Sequence, residues 1–228
     1  MYVLHFAPDN ASLAVRLALE EAGVAYRAAL VDPAMQAEMG AAFRAISPTG
    51  LIPALETPDG AIFETGAILL WLADRHGGLA PRPEDPARGD FLKWLFFTSN
   101  TLHADMRGLF YPQRYAGGDK EGHRMLSEGR ILDALALLQS ALADRPDWCR
   151  PGAPGALGCY LAPLVRWLAL YPRSNPMAPG LGAYPALRAV LADFETRPSA
   201  RHAAEAEGLG PTPFTAPSHP APPPGGTS

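Results

Sequence analysis

The chain has 228 residues, of which 48% are hydrophobic and 18% are charged, a balance that favours a packed core over a disordered chain. The formal net charge is −4 at pH 7 and the sequence contains no Lys/Arg run, so it lacks the basic surface that nucleic acids and anionic membranes select. The two cysteines, Cys149 and Cys159, have neither CxxC nor zinc-knuckle spacing, which predicts reduced thiols and no metal site.

The N-terminus, MYVLHFAPDN, has no basic leader and no cleavable apolar stretch. The best apolar run, residues 66–73, is far shorter than the ~20 residues that span a bilayer. We therefore expect a cytoplasmic location and no membrane partner.

Residues 1–76 alternate between strand-like and helix-like patterns. Tyr2–Phe6 is a β-type run, the turn at 8–10 ends it, and a helix follows with Ser12 as N-cap and Gly23 at its end. Next come a strand over 25–31, a weak helix or ordered loop over 34–46, strands over 54–57 and 61–63, and a helix opened by Glu64–Thr65. This order, β-α-β-α-β-β-α, predicts a thioredoxin-like domain over residues 1–77.

The second part of the chain is predicted to be helical. Residues 78–86 are rich in Gly and Pro, which indicates a linker, and residues 87–207 form an all-helical domain. Apolar spacing predicts its helices over 88–111, 120–142, 157–170, 184–195 and 199–207. The Pro/Gly-rich tail, 208–228, has little apolar surface and is expected to be extended and flexible.

Three stretches carry a resemblance to a known family: SPTGLIPAL over 47–55, ETGAILLWLAD over 64–74, and YPALR with RPS over 184–199. In this order they resemble the cytosolic glutathione transferases, nearest to the bacterial beta-class members, over residues 1 to about 208. The resemblance implies a fold of class α/β plus all-α, with a thioredoxin-like N-terminal domain followed by a helical-bundle C-terminal domain.

The resemblance also implies a glutathione site. The bond between Ile52 and Pro53 would be cis, and the backbone of Ile52 would pair with the cysteinyl residue of glutathione. Glu64 and Thr65, at a helix N-terminus, would bind the ammonium and carboxylate of the γ-glutamyl group. The alternatives are that Pro53 merely starts a strand and that Thr65 is an ordinary N-cap.

Activation of the thiol is the point at which the chain departs from the family. Lowering a thiol pKa by about two units requires roughly 2.7 kcal/mol of thiolate stabilisation. The family uses Tyr, Ser or Cys after the first strand, and the beta-class cysteine position is occupied by Ala11. Ser12, which matches a family serine, and Asn10 are the candidate catalytic residues. The alternative for Ser12 is a plain N-cap.

His103 matches a beta-class histidine that faces the thiol, which implies that it donates to the sulfur of glutathione or acts on the second substrate. The alternative is a surface or satisfied core histidine. The basic residues that those members often have near the glycyl carboxylate and beside this histidine are replaced by Met35 and Ala104. Gly155 and Gly158 occupy the places of a capping box, so the helix there is expected to start in another way.

These residues predict a glutathione S-transferase-like enzyme in which the thiolate of glutathione attacks a small hydrophobic electrophile without a metal. Arg107, Phe110 and Tyr111 would line the second-substrate pocket. The family usually forms homodimers, and the aromatic surface around residues 91–97 agrees with that. The alternatives are a binding protein without activity, favoured by Ala11, and a glutathione-dependent reductase or peroxidase that uses the sulfur of glutathione itself.

Overall fold

The computed structural model describes residues 1–31, 36–174 and 176–221, without the side chains of residues 36–39. The N-terminal part contains a four-stranded sheet in the order β2-β1-β3-β4. Its strands are β1 (Tyr2–Phe6), β2 (Tyr26–Leu30), β3 (Ala54–Thr57) and β4 (Gly60–Phe63). β1 is parallel to β2 and antiparallel to β3, and β3 and β4 form a hairpin. The sequence-based order of strands and helices is confirmed.

Three helices accompany the sheet: α1 (Ser12–Glu21), α2 (Gln36–Ile46) and α3 (Thr65–His76). α1 and α3 bury apolar side chains such as Leu17 and Leu69 completely. The expected N-cap role of Ser12 is wrong, because Ala11 is the N-cap of α1 and Ser12 is already helical. Residues 34 and 35 of the expected second helix lie outside the described residues.

The C-terminal part is helical. Its helices are α4 (Arg88–Phe97), α5 (His103–Phe110), α6 (Pro112–Tyr115), α7 (Lys120–Ala143), α8 (Gly155–Leu170), α9 (Pro185–Glu195) and α10 (Pro198–Glu207). A π-helical segment, Thr98–Leu102, joins α4 to α5, and a 3-10 turn spans Leu181–Ala183. The helix expected over 88–111 is therefore interrupted by the π-helical segment. The short helix α6, which follows α5, was not predicted. None of the helices in the described ranges has the length and apolarity needed to cross a membrane.

α8 lies at the centre of the core and starts without a capping side chain. Instead, the N–H of Ala156 donates to the C=O of Leu79, at 2.7 Å, so the linker segment satisfies the helix end. Gly155 has a φ of +59°, and a Cβ there would lie 2.6 Å from the C=O oxygen of Trp148. Gly155, which stands where a capping-box residue was expected, is thus required, because any side chain would collide with the neighbouring backbone.

The segment after α10 is packed against the helices, and we call residues 208–221 the C-terminal strap. The N–H of Ala221 donates to the C=O of Gly208 at 3.0 Å, which closes the strap into a loop. Leu209 and Phe214 are each 1% exposed, and the ring of Phe214 stacks on Phe194 at 5.7 Å. The expectation of an extended segment with little apolar burial is wrong here, because two apolar side chains anchor it. Residues 222–228 of the tail lie outside the described residues.

Candidate functional site

Strand register brings three loops to one edge of the sheet. His5 of β1 pairs with Ala54, and Ala54 pairs with Phe63 of β4. The end of β1, the start of β3 and the end of β4 therefore coincide. We call the segments at this position the sheet edge: residues 7–11, 52–53 and 64–65.

The backbone of Ile52 is presented at the sheet edge. The peptide bond between Ile52 and Pro53 is cis. The preceding turn is held by Ser47, whose hydroxyl donates to the C=O of Leu51 at 2.9 Å. No hydrogen bond between described residues uses the N–H or C=O of Ile52. An extended peptide could therefore pair with this residue.

Glu64 and Thr65 lie where α3 begins. Glu64 is the N-cap, with a φ of +72°, and its C=O accepts from the N–H of Ile68 at 3.0 Å. Its side chain makes no capping bond and is exposed, whereas Thr65 is buried in the first turn. The N-cap alternative for Thr65 is therefore wrong. The free N–H groups of the first turn favour an anion at this point.

The two candidate catalytic residues, Asn10 and Ser12, are in different surroundings. The hydroxyl of Ser12 is fully buried, accepts from the N–H of Ala7 at 3.3 Å and donates to its C=O at 3.2 Å. Asn10 is exposed, and its Oδ1 accepts from the N–H of Ala11 at 2.7 Å. Its NH₂ group is therefore left to donate to a ligand. The geometry favours Asn10 over Ser12 as the donor to a thiolate.

A polar cluster on the helical side meets Thr65. The hydroxyl of Tyr160, on α8, lies 2.9 Å from Nδ1 of His103. Burial raises the pKa of Tyr160 to about 12, while the hydroxyl of Ser99 lowers it, the charge of Glu64 raises it and the hydroxyl of Thr65 lowers it. Tyr160 thus stays protonated at neutral pH and connects the start of α3 to α5.

His103 is neutral in this environment. Burial lowers its pKa to about 4, and the positive charge of Arg107 lowers it as well. Nδ1 shares a hydrogen bond with the hydroxyl of Tyr160, and the imidazole tautomer decides which of the two donates. Nε2 is left to exchange one hydrogen bond with a ligand, and the side chain supplies no positive charge at pH 7.

Sequence reasoning missed Tyr160 and Ser99. Ser99 belongs to the π-helical segment directly before His103, and π turns inside helices frequently occur at functional sites. Tyr160 is a hydroxyl-bearing residue in an almost entirely apolar helix. A polar group in such a setting needs a partner, and this was the available signal.

The remaining predicted residues lie along α5. Arg107 is one turn after His103 and exposed, and Ala104 is exposed as well. Phe110 packs against the core at the end of the helix, and Tyr111 is 43% exposed beyond it. Met35 lies outside the described residues. A cavity of about 440 Å³ lies between α10 and the C-terminal strap and includes none of the predicted site residues.

The two cysteines lie in the hydrophobic core. Both are buried and free. Burial raises the pKa of Cys149 to about 12 and that of Cys159 well above its usual range, so neither is a ready nucleophile. In the part of the chain that the structure describes, no group of His, Cys, Asp or Glu side chains could hold a metal.

Comparison with known proteins gives a consistent result. Residues 11–75 match the family model described as the N-terminal domain of glutathione S-transferase. A beta-class glutathione S-transferase from Sphingomonas chungbukensis is 30% identical, with a TM-score of 0.75 over 91% of this chain and 100% of that one. A sphingomonad glutathione S-transferase complexed with glutathione is 29% identical, with a TM-score of 0.72 over 91% of this chain and 100% of that one.

A curated relative has a different activity in its name. The disulfide-bond oxidoreductase YfcG of Escherichia coli K12 is 38% identical over 104 residues. The match covers 42% of this chain and 48% of that protein, so this chain spans about half of that relative.

Proposed function

Since the chain belongs to the glutathione S-transferase family, we propose that it binds glutathione at the sheet edge and joins the glutathione thiolate to an electrophilic carbon of a small hydrophobic substrate. The observation that carries the proposal is the unpaired backbone of Ile52 beside the start of α3. The strand register holds these two features at the same edge of the sheet. Relatives with the same fold are described as bound to glutathione.

The cysteinyl and γ-glutamyl parts of the tripeptide each have a matching group. The cysteinyl residue pairs with the N–H and C=O of Ile52 as a short antiparallel strand. The γ-glutamyl carboxylate binds the N–H groups at the start of α3, where the helix dipole is positive. The exposed carboxylate of Glu64 accepts from the ligand's ammonium, and Thr65 adds its hydroxyl.

The thiolate is stabilised by neutral donors. The NH₂ group of Asn10 and the N-terminal end of α1 lie after β1, where the family places its thiol-activating residue. One charge-assisted hydrogen bond contributes about 1.5–3 kcal/mol and a helix terminus about 0.3–1 kcal/mol. Together they cover the roughly 2.7 kcal/mol that a two-unit lowering of the thiol pKa requires. His103 offers Nε2 for a hydrogen bond with the second substrate.

The decisive experiment measures the pKa of bound glutathione from the ultraviolet absorbance of its thiolate. We expect a pKa about two units below that of free glutathione, together with turnover of a chlorodinitrobenzene. Asn10→Ala should raise this pKa by about one unit while Ser12→Ala leaves it unchanged. An unshifted pKa in the wild-type protein, with binding intact, would instead identify a non-catalytic binding protein.

A second function is favoured by the likeness to YfcG. In a glutathione-dependent disulfide reductase, the thiolate of one glutathione attacks a disulfide, forms a mixed disulfide and releases one thiolate. A second glutathione then attacks the mixed disulfide and releases the other thiolate together with glutathione disulfide, so no enzyme cysteine is needed. Turnover of a small disulfide, faster than that of any electrophile tested, would establish this reaction, and a peroxide assay tests the peroxidase alternative in the same way.

We also propose a homodimer in the cytoplasm that takes part in detoxification. Phe91 is buried, so the aromatic surface expected there is reduced mainly to Phe96, which is 52% exposed. Further exposed apolar residues, Met125, Leu126, Leu132 and Leu137, lie on α7. Such residues are typical of interfaces, and two buried free thiols fit a reducing compartment. Sedimentation should give the mass of a dimer.

We retain residues 1–77 and 87–207 as the proposed domains.

A further inference from the structure

The carboxylate of Asp9, at the sheet edge, is surrounded by donors from the helical part. Arg166 donates to both of its oxygens, from Nε at 2.7 Å and from Nη2 at 3.1 Å. Trp167 Nε1 donates at 2.9 Å and the hydroxyl of Tyr171 at 2.8 Å. The Asp9 side chain is 2% exposed and that of Arg166 is fully buried, so this bidentate pair is shielded from water.

The backbone of Asp9 is held as well. Its φ is +53°, in the left-handed region that non-glycine residues adopt only when the surroundings stabilise it. Its N–H donates to Oε2 of Glu207 at 2.8 Å, and Oε1 of Glu207 accepts from Nε of Arg16 at 2.7 Å. Two buried ion pairs therefore fix the residue that directly precedes Asn10.

The same guanidinium binds the C-terminal strap. Nη1 of Arg166 donates to the C=O of Pro213 at 3.1 Å, and Nη2 donates to the C=O of Ser218 at 2.7 Å. The strap is anchored independently by the buried ring of Phe214. Arg166 thus connects a segment at the end of the chain to the loop that begins the site.

We propose that Asp9 is a positioning residue, which, through Arg166 and the C-terminal strap, holds Asn10 and Ala11 in the geometry that stabilises a thiolate. Asp9 does not itself contact the sulfur, because both of its carboxylate oxygens are bound by α8 and Tyr171. The statement about the thiolate rests on the proposed function. The statement about loop geometry rests on the contacts alone.

Two variants and one control separate positioning from general stability. Arg166→Lys keeps the charge but loses the fork that binds Asp9 and the strap together. Tyr171→Phe removes one hydroxyl and is the milder variant should the first fail to fold. The control is Glu21→Gln, since Glu21 accepts from both Nε and Nη2 of Arg197 at 2.8 Å, an equivalent fork at the opposite end of α1.

The first readout needs no glutathione. Amide hydrogen exchange over residues 7–13 of the full chain should accelerate about fivefold or more in Tyr171→Phe and Arg166→Lys, the loss expected for a hydrogen bond. Glu21→Gln should exchange at the wild-type rate in this segment. Unchanged exchange in Tyr171→Phe, or equal acceleration in Glu21→Gln, would overturn the proposal.

The second readout is the pH profile of kcat/KM for the electrophile at saturating glutathione, which reports the thiol pKa in the glutathione complex. We expect its midpoint to rise by about half a unit or more in Arg166→Lys and Tyr171→Phe, with the KM for glutathione changing less than kcat, because Thr65 and Ile52 are unaltered. Faster amide exchange over residues 7–13 with an unchanged midpoint of the pH profile would refute the role of Asp9 in stabilising the thiolate. A wild-type protein without glutathione turnover would contradict the proposed function, while the exchange data would still decide whether Asp9 positions the loop.

Discussion

The sheet edge and α8 meet at the candidate site and hold their functional groups in different ways. The sheet edge presents backbone groups, those of Ile52 and the first turn of α3, whose positions follow from strand register. α8 presents two polar side chains, Tyr160 and Arg166, from an otherwise apolar and buried helix. Substitutions on the helical side should therefore mainly lower the stability of the protein, whereas substitutions at the sheet edge should mainly weaken ligand binding.

The largest effect is expected where the strap supports α8. Phe214→Ala should lower the free energy of unfolding by about 3–5 kcal/mol, because it leaves a cavity beside Phe194. Phe214→Leu, which keeps most of the apolar volume, should cost about 1.5 kcal/mol or less. Urea unfolding of both variants measures this difference. Equal, small losses would mean that the strap adds little to the helical side.

The next effect is the pH dependence that His103 confers. Its pKa is about 4 in the folded protein and about 6.5 when unfolded, so the unfolded state binds more protons between these values. The neutral imidazole therefore contributes to the free energy of unfolding in full above pH 6.5. Up to about 3 kcal/mol of this contribution is lost as the pH falls toward 4. His103→Gln should remove this part of the pH dependence. A wild-type unfolding curve that does not change over this range would contradict a buried neutral imidazole.

These two predictions also mark what the sequence could and could not provide. That Ile52 lies beside Glu64 and Thr65 could be predicted, because the motifs that carry the family resemblance are close along the chain and a local hairpin fixes their register. The pairing of Asp9 with Arg166 joins residues 157 positions apart, and no local pattern encodes such a contact. Ser12 was misassigned because a serine at the start of a helix is typical of an N-cap, whereas here its hydroxyl bonds back to Ala7.

Tyr160 provides a test between the two sides. Tyr160→Phe removes the hydroxyl that is hydrogen-bonded to Nδ1 of His103 and should destabilise the protein by about 1–3 kcal/mol, the cost of an unsatisfied buried polar group. Glutathione affinity should fall less than threefold, since the sheet edge is intact. A loss of binding larger than the loss of stability would place Tyr160 in direct contact with the ligand.

Thr65 provides the complementary test and the smallest expected effect on stability. Thr65→Ala should weaken glutathione binding about fivefold to tenfold, as expected for about 1 kcal/mol from one hydroxyl. Thr65→Ser keeps the hydroxyl and should bind like the wild type. Calorimetric titration of the three proteins measures this. If the alanine and serine variants bind alike, the hydroxyl takes no part in binding.

The central claim, that the sheet edge binds glutathione through its backbone, is tested most directly by a crystal structure of the complex. The account predicts two hydrogen bonds of about 2.9 Å between Ile52 and the cysteinyl residue, with the γ-glutamyl carboxylate at the start of α3. Glutathione bound elsewhere, for example in the cavity between α10 and the strap, with Ile52 unpaired, would contradict it.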